Sequence, residues 1–300
     1  MPKNKPSEET LAQVRRVIDA LNDRGARKQA IRLKVTRPDA PLPQTASKFG
    51  GRPYLPAGES APTNEKGEPL GMIAQINCAD LPENDIYPAT GLLQFWINPN
   101  DEKCLWGYDY ENPLSQKNHR VVYYETLDEP NPDAPPFPTV NWDNYDWPLG
   151  PEGEDVSEAT TEYALAFETW EQSFLDGGLE IYDQFADAWD EIYPDQKLPE
   201  NPNARDNASY NLLEPFESDE RDYSHIGGYP SFAQGDPRDG FEELRGHSVN
   251  LLTIESEWGE DAEEDVYVIW SDAGAANWLI TPEALAARDF SQVVFEWACS

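Results

Sequence analysis

The stretch FGGRPYLP, from Phe49 to Pro56, returns as IGGYPSFA, from Ile226 to Ala233. Both copies contain Gly-Gly-x-Pro. Paired glycines accept positive φ in a tight turn at no steric cost. Arg52 and Tyr229 each precede a proline, which pushes them toward extended geometry. Pro53 and Pro230 have no N–H to give to a ladder, so they belong at a strand start or on an edge. Each motif is therefore expected to launch an edge strand from a turn.

The spacing downstream repeats as well. Gln75, inside MIAQI, lies 24 residues beyond Gly51, and Thr253, inside NLLTIES, lies 25 beyond Gly228. A Trp-bearing strand follows in each case, LQFWI at Trp96 and YVIW at Trp270. Two matching units at similar spacing point to an internal duplication. The expected fold class is α+β, with two related, mostly antiparallel, β-rich halves at 47–125 and 223–300. A helix and strand at 1–46 precede them, and an acidic, Trp-rich and helical insertion at 126–222 separates them, all within a single domain over 1–300.

The remaining elements follow from local pattern. Ser7 can cap a helix whose apolar residues Leu11, Val14, Val17, Ile18 and Leu21 recur at helical spacing, ending near Gly25. AIRLKVT alternates Ile31, Leu33 and Val35 with polar neighbours, as a one-face-buried strand does. MIAQI, GLLQFWI and RVVYYE read as strands of the first half. SVNLLTIES, DVYVIW and QVVFEW read as strands of the second, with a short helix capped by Thr281 before the last. Between the halves, Tyr163, Phe167, Trp170 and Phe174 recur at helical spacing after Ser157. Tyr182, Phe185, Trp189 and Ile192 do so again after Gly177-Gly178, so two helices are expected there.

The net charge is -35, and it is unevenly spread: residues 1–52 hold 12 of the 22 basic residues and 5 of the 57 acidic ones. A body this acidic lacks the Lys and Arg that phosphate recognition needs, which argues against nucleic acid and anionic membranes as partners. It favours encounter with a basic protein. Plain solubility, or an acid-rich proteome, is the alternative origin of the charge. The three cysteines and three histidines are scattered, with no CxxC pair and no HExxH. No transition-metal site and no cofactor are expected from them, and a carboxylate-bound Ca²⁺ or Mg²⁺ stays open although no EF-hand spacing occurs. MPKNKPSEET has no apolar leader region, and no run approaches the ~18 apolar residues of a membrane span. A cytoplasmic location is expected.

Several motifs in order resemble one family. SKFGGRPYLP, PLGMIAQINCADLP, GLLQFW, HIGGYPSFAQGDPR and the tail WSDAG…RDFSQVVFEWAC are similar to the bacterial YwqG-like family, DUF1963. The resemblance covers nearly the whole chain apart from about 126–222. It implies an α+β fold with two related β-rich halves and no established activity. It also implies an association with polymorphic toxin systems, in which members look like candidate immunity proteins. Glu255 stands where Asp is expected, Ser271 where Gly is, and Ala298 where an acid is. These departures weaken any family role for an acid at 255 or 298.

Two sets of residues are candidates for function. The acidic surface offers Trp142, Trp147, Glu168, Glu171, Asp183, Asp187 and Asp190, with aromatic anchors and carboxylates for a basic partner such as a toxin. The same residues would also serve as an ordinary solvated face. A cleft between the halves would draw on Gln75, His225, Gln234, Asp236, Arg238 and Asp272, which suits a small-molecule binder or an enzyme. In the structural reading of that set, Asp236 caps its own turn, Arg238 pairs with an acid, and Gln75, Gln94 and Gln234 make cross-strand or turn hydrogen bonds. No residue is assigned a catalytic role. The expected function is non-enzymatic binding of a protein partner.

Overall fold

The computed structural model describes residues 6–101, 105–134, 147–150, 161–176, 181–198, 210–216, 223–258 and 266–299. Ten strands form one sheet: β1 (Lys28–Thr36), β2 (Lys48–Gly50), β3 (Gly71–Asn77), β4 (Leu92–Ile97), β5 (His119–Tyr124), β6 (Glu162–Gln172), β7 (His225–Gly227), β8 (Val249–Glu255), β9 (Ala275–Ile280) and β10 (Val294–Ala298). Their order across the sheet is β10-β9-β8-β7-β1-β6-β2-β3-β4-β5. The pairings of β2 with β3 and β6, and those of β3–β4, β4–β5, β7–β8, β8–β9 and β9–β10, are antiparallel. The sheet is nearly closed, because its edge strands approach each other and side chains bridge the seam. His119 Nε2 of β5 lies 3.3 Å from the Val293 carbonyl, and Gln116 Nε2 donates to Phe290 O at 2.9 Å.

The chain divides into two compact units. One comprises residues 1–30, 170–222 and 228–230. In it α1 (Glu8–Leu21) starts where Ser7 accepts from Thr10 N at 3.1 Å, as the cap pattern predicts. Its buried stripe of Val14, Val17 and Ile18 packs with Phe185 and Trp189 of α2 (Ile181–Ile192) and with Leu212 and Leu213 of the short α3 (Tyr210–Leu213). The other unit comprises 31–169, 223–227 and 231–300 and holds most of the sheet. Its core draws Ile31, Leu33 and Val35 from β1, Tyr163 from β6, and Phe95, Trp270, Trp278 and Phe295 from the strands and turns around them. Two short helices complete it, α4 (Pro237–Gly240), capped by Asp236, and α5 (Pro282–Ala286), capped by Thr281. Among the described residues no helix is long and apolar enough to cross a membrane.

Three sequence expectations need correction. Tyr163, Phe167 and Trp170 belong to strand β6, not to a helix. A four-residue interval between aromatics suits a strand face as well as a helix face. Leu165, between Tyr163 and Phe167, also packs on the core, which completes a period of two. Of DVYVIW, the described residues 266–270 form no strand either: Val268 makes isolated bridges to Leu149 and Glu257. The strand after β8 is AANWLI, whose alanines and asparagine have weak strand preference and are held by β8 on one side and β10 on the other. Finally, Gly-Gly-x-Pro ends a strand and does not launch one. Gly50 and Gly51 (φ 63° and 67°) close β2, and Gly227 and Gly228 (φ 70° and 65°) close β7. Both strands lie inside the sheet, away from its edges.

The two Gly-Gly strands enter matching surroundings. Lys48 faces Gln75 across β2–β3, and His225 faces Thr253 across β7–β8. The register of β3–β4 shifts between Met72 and Ala74, and that of β8–β9 shifts between Asn250 and Leu252. Beyond the shift Gln75 faces Gln94, as Thr253 faces Asn277. Ser47 Oγ accepts from Asn77 N at 2.9 Å, and Ser224 Oγ accepts from Glu255 N at 3.0 Å.

Candidate functional site

The predicted cleft residues serve several separate networks. Gln75 is fully buried and its amide is saturated. Its Oε1 accepts from Tyr54 N and Gln94 Nε2, and its Nε2 donates to Gln44 O and Ala46 O, all at 2.7–2.9 Å. It fastens the 44–54 segment to the sheet. His225 is buried, and its Nδ1 donates to Tyr223 O at 2.6 Å. Gln234 is exposed and donates to Cys299 O at 2.7 Å. Asp236 caps α4 by accepting from Arg238 N at 2.9 Å, and the same carboxylate pairs with the Arg238 guanidinium. Asp272 is exposed, between Ser271 and Ala273, which both take positive φ.

The acidic set also changes character. Trp147 is buried in the sheet core. Trp142 and the Asp183 side chain lie outside the described residues. Glu168 pairs with Lys34 and Glu171 with Arg27, each at 2.7 Å, and Glu191 takes Arg24 through both carboxylate oxygens at 2.6 and 3.0 Å. Further cations near the N-terminus sit over aromatic rings: Arg16 over Tyr193, Lys28 over Tyr229 and Arg32 over Tyr223. The basic N-terminal stretch is thus engaged within the chain, partly by the acids expected to meet a partner. Such exposed pairs contribute little to stability. Asp187 and Asp190 of α2 remain exposed.

A cavity of about 270 Å³ opens elsewhere, between the turn at 64–66 and the connection 98–118 that joins β4 to β5. Asn64, at 6 % exposure, shapes the turn by accepting from Lys66 N and Glu68 N at 2.9 Å. The connection is pinned by Trp106, which is buried against Trp297 and Trp270 with ring centroids 4.4 and 5.2 Å away. Its φ of 47° is a conformation that a bulky residue rarely adopts. Asp101 Oδ2 accepts from Gly107 N at 2.9 Å, and Asp109 Oδ1 accepts from Glu111 N and Asn112 N at 3.1 Å. A side chain at Gly107 would strike the Asn118 carbonyl.

The cavity wall is polar. Four carboxylates (Glu65, Asp101, Asp109, Glu111), four amides (Asn64, Asn98, Asn100, Asn118), two tyrosines and a single lysine, Lys66, line it. Glu65 also reaches Lys117 at 3.5 Å. Tyr110 is 53 % exposed at the rim. Burial, with Glu296 and Asp109 nearby, pushes the Tyr108 hydroxyl up to about 12, so it stays protonated and can donate. Such a wall offers mostly acceptors. It suits an ammonium or guanidinium group, with tyrosine rings to stack on the cation. Among the described residues no group of three or more His, Cys, Asp or Glu could hold a metal ion.

Sequence reasoning passed over this site. Its signal was the long Asn-, Asp- and Tyr-rich connection NPNDEKCLWGYDYENP between two clear strands, since connections of that length often carry function.

A second polar feature lies on β9 and β10. Glu296 is 3 % exposed, and its Oε2 accepts from Asn277 Nδ2 at 3.0 Å. Asn277 in turn holds Ser231 through both backbone groups and accepts from the Thr253 hydroxyl at 2.8 Å. Burial, with Asp236 as a like charge, raises the Glu296 carboxyl to about 8, although the Asn277 bond opposes this. It therefore carries its proton at neutral pH.

A family model described as a domain of unknown function, DUF1963, matches residues 47–299. No curated protein matches the chain.

Proposed function

We propose that this chain, which belongs to the DUF1963 family, is a non-enzymatic binding module for a basic protein, and that it acts as an immunity protein neutralising a basic toxin. The carrying observation is the cavity beside Tyr110, where four carboxylates and four amides face one lysine on a chain of net charge -35. A Lys or Arg side chain of the partner would enter the cavity and exchange its water for carboxylate and amide acceptors. Tyr110 would lie against its stem or charge. The wider negative field, including Asp187 and Asp190 on the acidic helical segment, would speed encounter. We also read the two Gly-Gly-x-Pro halves as products of an internal duplication, because their registers and the bonds from Ser47 and Ser224 correspond position by position.

The test is co-expression with the protein encoded next to this one, scored for rescue of growth and for co-purification. Glu65 and Glu111 are exposed, so reversing both to Lys leaves the fold intact. The expected result is rescue by the parent chain and loss of rescue, with at least tenfold weaker binding, in the reversed variant. Absence of any complex with a neighbouring basic protein refutes the reading.

One observation favours a second reading, a small-molecule binder or an enzyme. Glu296 holds a proton at neutral pH close to Asp236, as a general acid does. Thermal-shift screening of a metabolite library tests it, and a hit lost in Glu296→Gln is the result it requires.

A further inference from the structure

We infer that the ten strands are two five-strand repeats, β1–β5 and β6–β10, that have exchanged their first strands. This rests on strand register and the hydrogen bonds that accompany it, and is independent of any partner. The correspondence runs through every strand. β2, β3 and β4 match β7, β8 and β9, including the register shift at Met72/Ala74 and its counterpart at Asn250/Leu252. Opposite Gln94 of β4 stands Val122 of β5, and opposite Asn277 of β9 stands Glu296 of β10. The amide after the Gly-Gly turn repeats as well: Gln94 Nε2 donates to Tyr54 O, and Asn277 Nδ2 to Ser231 O, both at 2.6 Å.

The first strands complete the match, but crossed. Leu165 N of β6 donates to Ser47 O at 3.3 Å, and Leu33 N of β1 donates to Ser224 O at 2.8 Å. Gly51 N donates to Thr161 O, and Gly228 N to Gln29 O, both at 3.1 Å. So β6 stands to β2 as β1 stands to β7. In chain order β1 precedes β2, yet it borders β7 and completes the set β7–β10. β6 precedes β7, yet it borders β2 and completes the set β2–β5. The observed order β10-β9-β8-β7-β1-β6-β2-β3-β4-β5 is the one this exchange produces, with the two lent strands side by side at the centre.

The exchange has a physical consequence. The inner edge of β2 stays uncovered until β6 docks, and that of β7 until β1 docks, so neither repeat can finish its sheet from its own strands. The cooperative opening units are then β6 with β2–β5, which carries the cavity, and β1 with β7–β10. Chain order alone would give β1–β5 and β6–β10.

Native-state hydrogen exchange on the full chain separates the two. Leu165→Ala is expected to speed exchange of β2–β5 amides at least tenfold while β8–β10 amides change less than threefold. Leu33→Ala is expected to give the mirror image. Should either alanine variant fail to fold, Leu165→Val and Leu33→Val are read by the same ratio between the two strand sets. The inference is overturned if Leu33 variants act mainly on β2–β5, or if all variants speed both sets equally. Failure of partner binding would leave these outcomes unchanged.

Discussion

Replacing Glu296 with Gln should make the protein more stable at alkaline pH and change it little in acid. The side chain is buried on β10, and its carboxyl is raised from 4.5 to about 8. In the folded state it keeps a proton that the unfolded chain gives up above pH 4.5. Its contribution to stability is therefore fully present below pH 4.5 and is lost as pH rises through 8. Integrating between those two values, the loss is about 1 kcal/mol by pH 5, about 3 by pH 7 and between 4 and 5 by pH 9. Glutamine is close in shape, and its Oε1 can still accept from Asn277 Nδ2. It has no proton to lose, so the slope belonging to residue 296 disappears. Urea unfolding at pH 5, 7 and 9 and fixed ionic strength gives the comparison. The difference between Glu296→Gln and parent should grow by about 4 kcal/mol from pH 5 to pH 9. The exposed Glu283→Gln should show no such divergence. Parallel stability curves for parent and Glu296→Gln would refute the buried protonated carboxyl.

Other perturbations follow from the same geometry. Lys48 is fully buried, 3.5 Å from Glu162, and donates to Pro43 O at 3.2 Å. Lys48→Met leaves a largely buried carboxylate without its cation and should cost about 3–5 kcal/mol in urea unfolding. Glu162→Gln in the same chain keeps an acceptor for Leu42 N and should recover most of that loss. Gly228→Ala places a side chain against Gln172 Oε1 at φ 65° and should cost at least about 1–3 kcal/mol from the backbone conformation alone. Calorimetry should show Gly228→Ala melting well below Gly58→Ala, since Gly58 has open space around it and a similarly positive φ. Gln75→Leu removes all four bonds of that amide and leaves Tyr54 N and two carbonyls buried without it. A loss of several kcal/mol is expected, from about 1–3 per stranded group, and a near-neutral result would show that the 44–54 segment is held by other contacts.

What could be read in advance was local. Ser7, the apolar spacing of Val14, Val17 and Ile18, and the alternation of Ile31, Leu33 and Val35 each act within a few residues, and α1 and β1 formed as those signals require. Gly50-Gly51 and Gly227-Gly228 announced positive φ, but not that the turn ends one strand instead of starting another. β6 escaped because Tyr163 and Phe167, four apart, satisfy two periods, and only the packing of Leu165 decides between them. AANWLI has little strand preference of its own, so β9 exists through its two neighbours. Glu296, between Phe295 and Trp297, alternates like a solvent-facing residue. It is nonetheless buried, two residues from Val294, which packs with Leu279 and Leu244 and, in part, with Phe232 and Phe241. The cavity's only local signature is the length and polarity of the 98–118 connection, since the turn at 64–66 meets it only in the folded chain.

The two Gly-Gly strands and their neighbours share some positions and differ at others. Positions that correspond in both, such as Ser47 with Ser224, Gly51 with Gly228 and Gln94 with Asn277, do the same bonding work twice. They hold the turn after each Gly-Gly to the sheet, so part of the polar crowding in HIGGYPSFAQGDPR is turn bonding. The two strand sets differ at three places. β4 and β5 are joined by the connection that builds the cavity, whereas β9 and β10 are joined through α5. Val122 stands opposite Gln94, where Glu296 stands opposite Asn277. Lys48, tied to Glu162, is replaced by His225, tied to its own strand's approach at Tyr223. The first difference opens a cavity to solvent and the other two involve the buried Glu296, Lys48 and His225, so the proposed binding reading places the partner at the first.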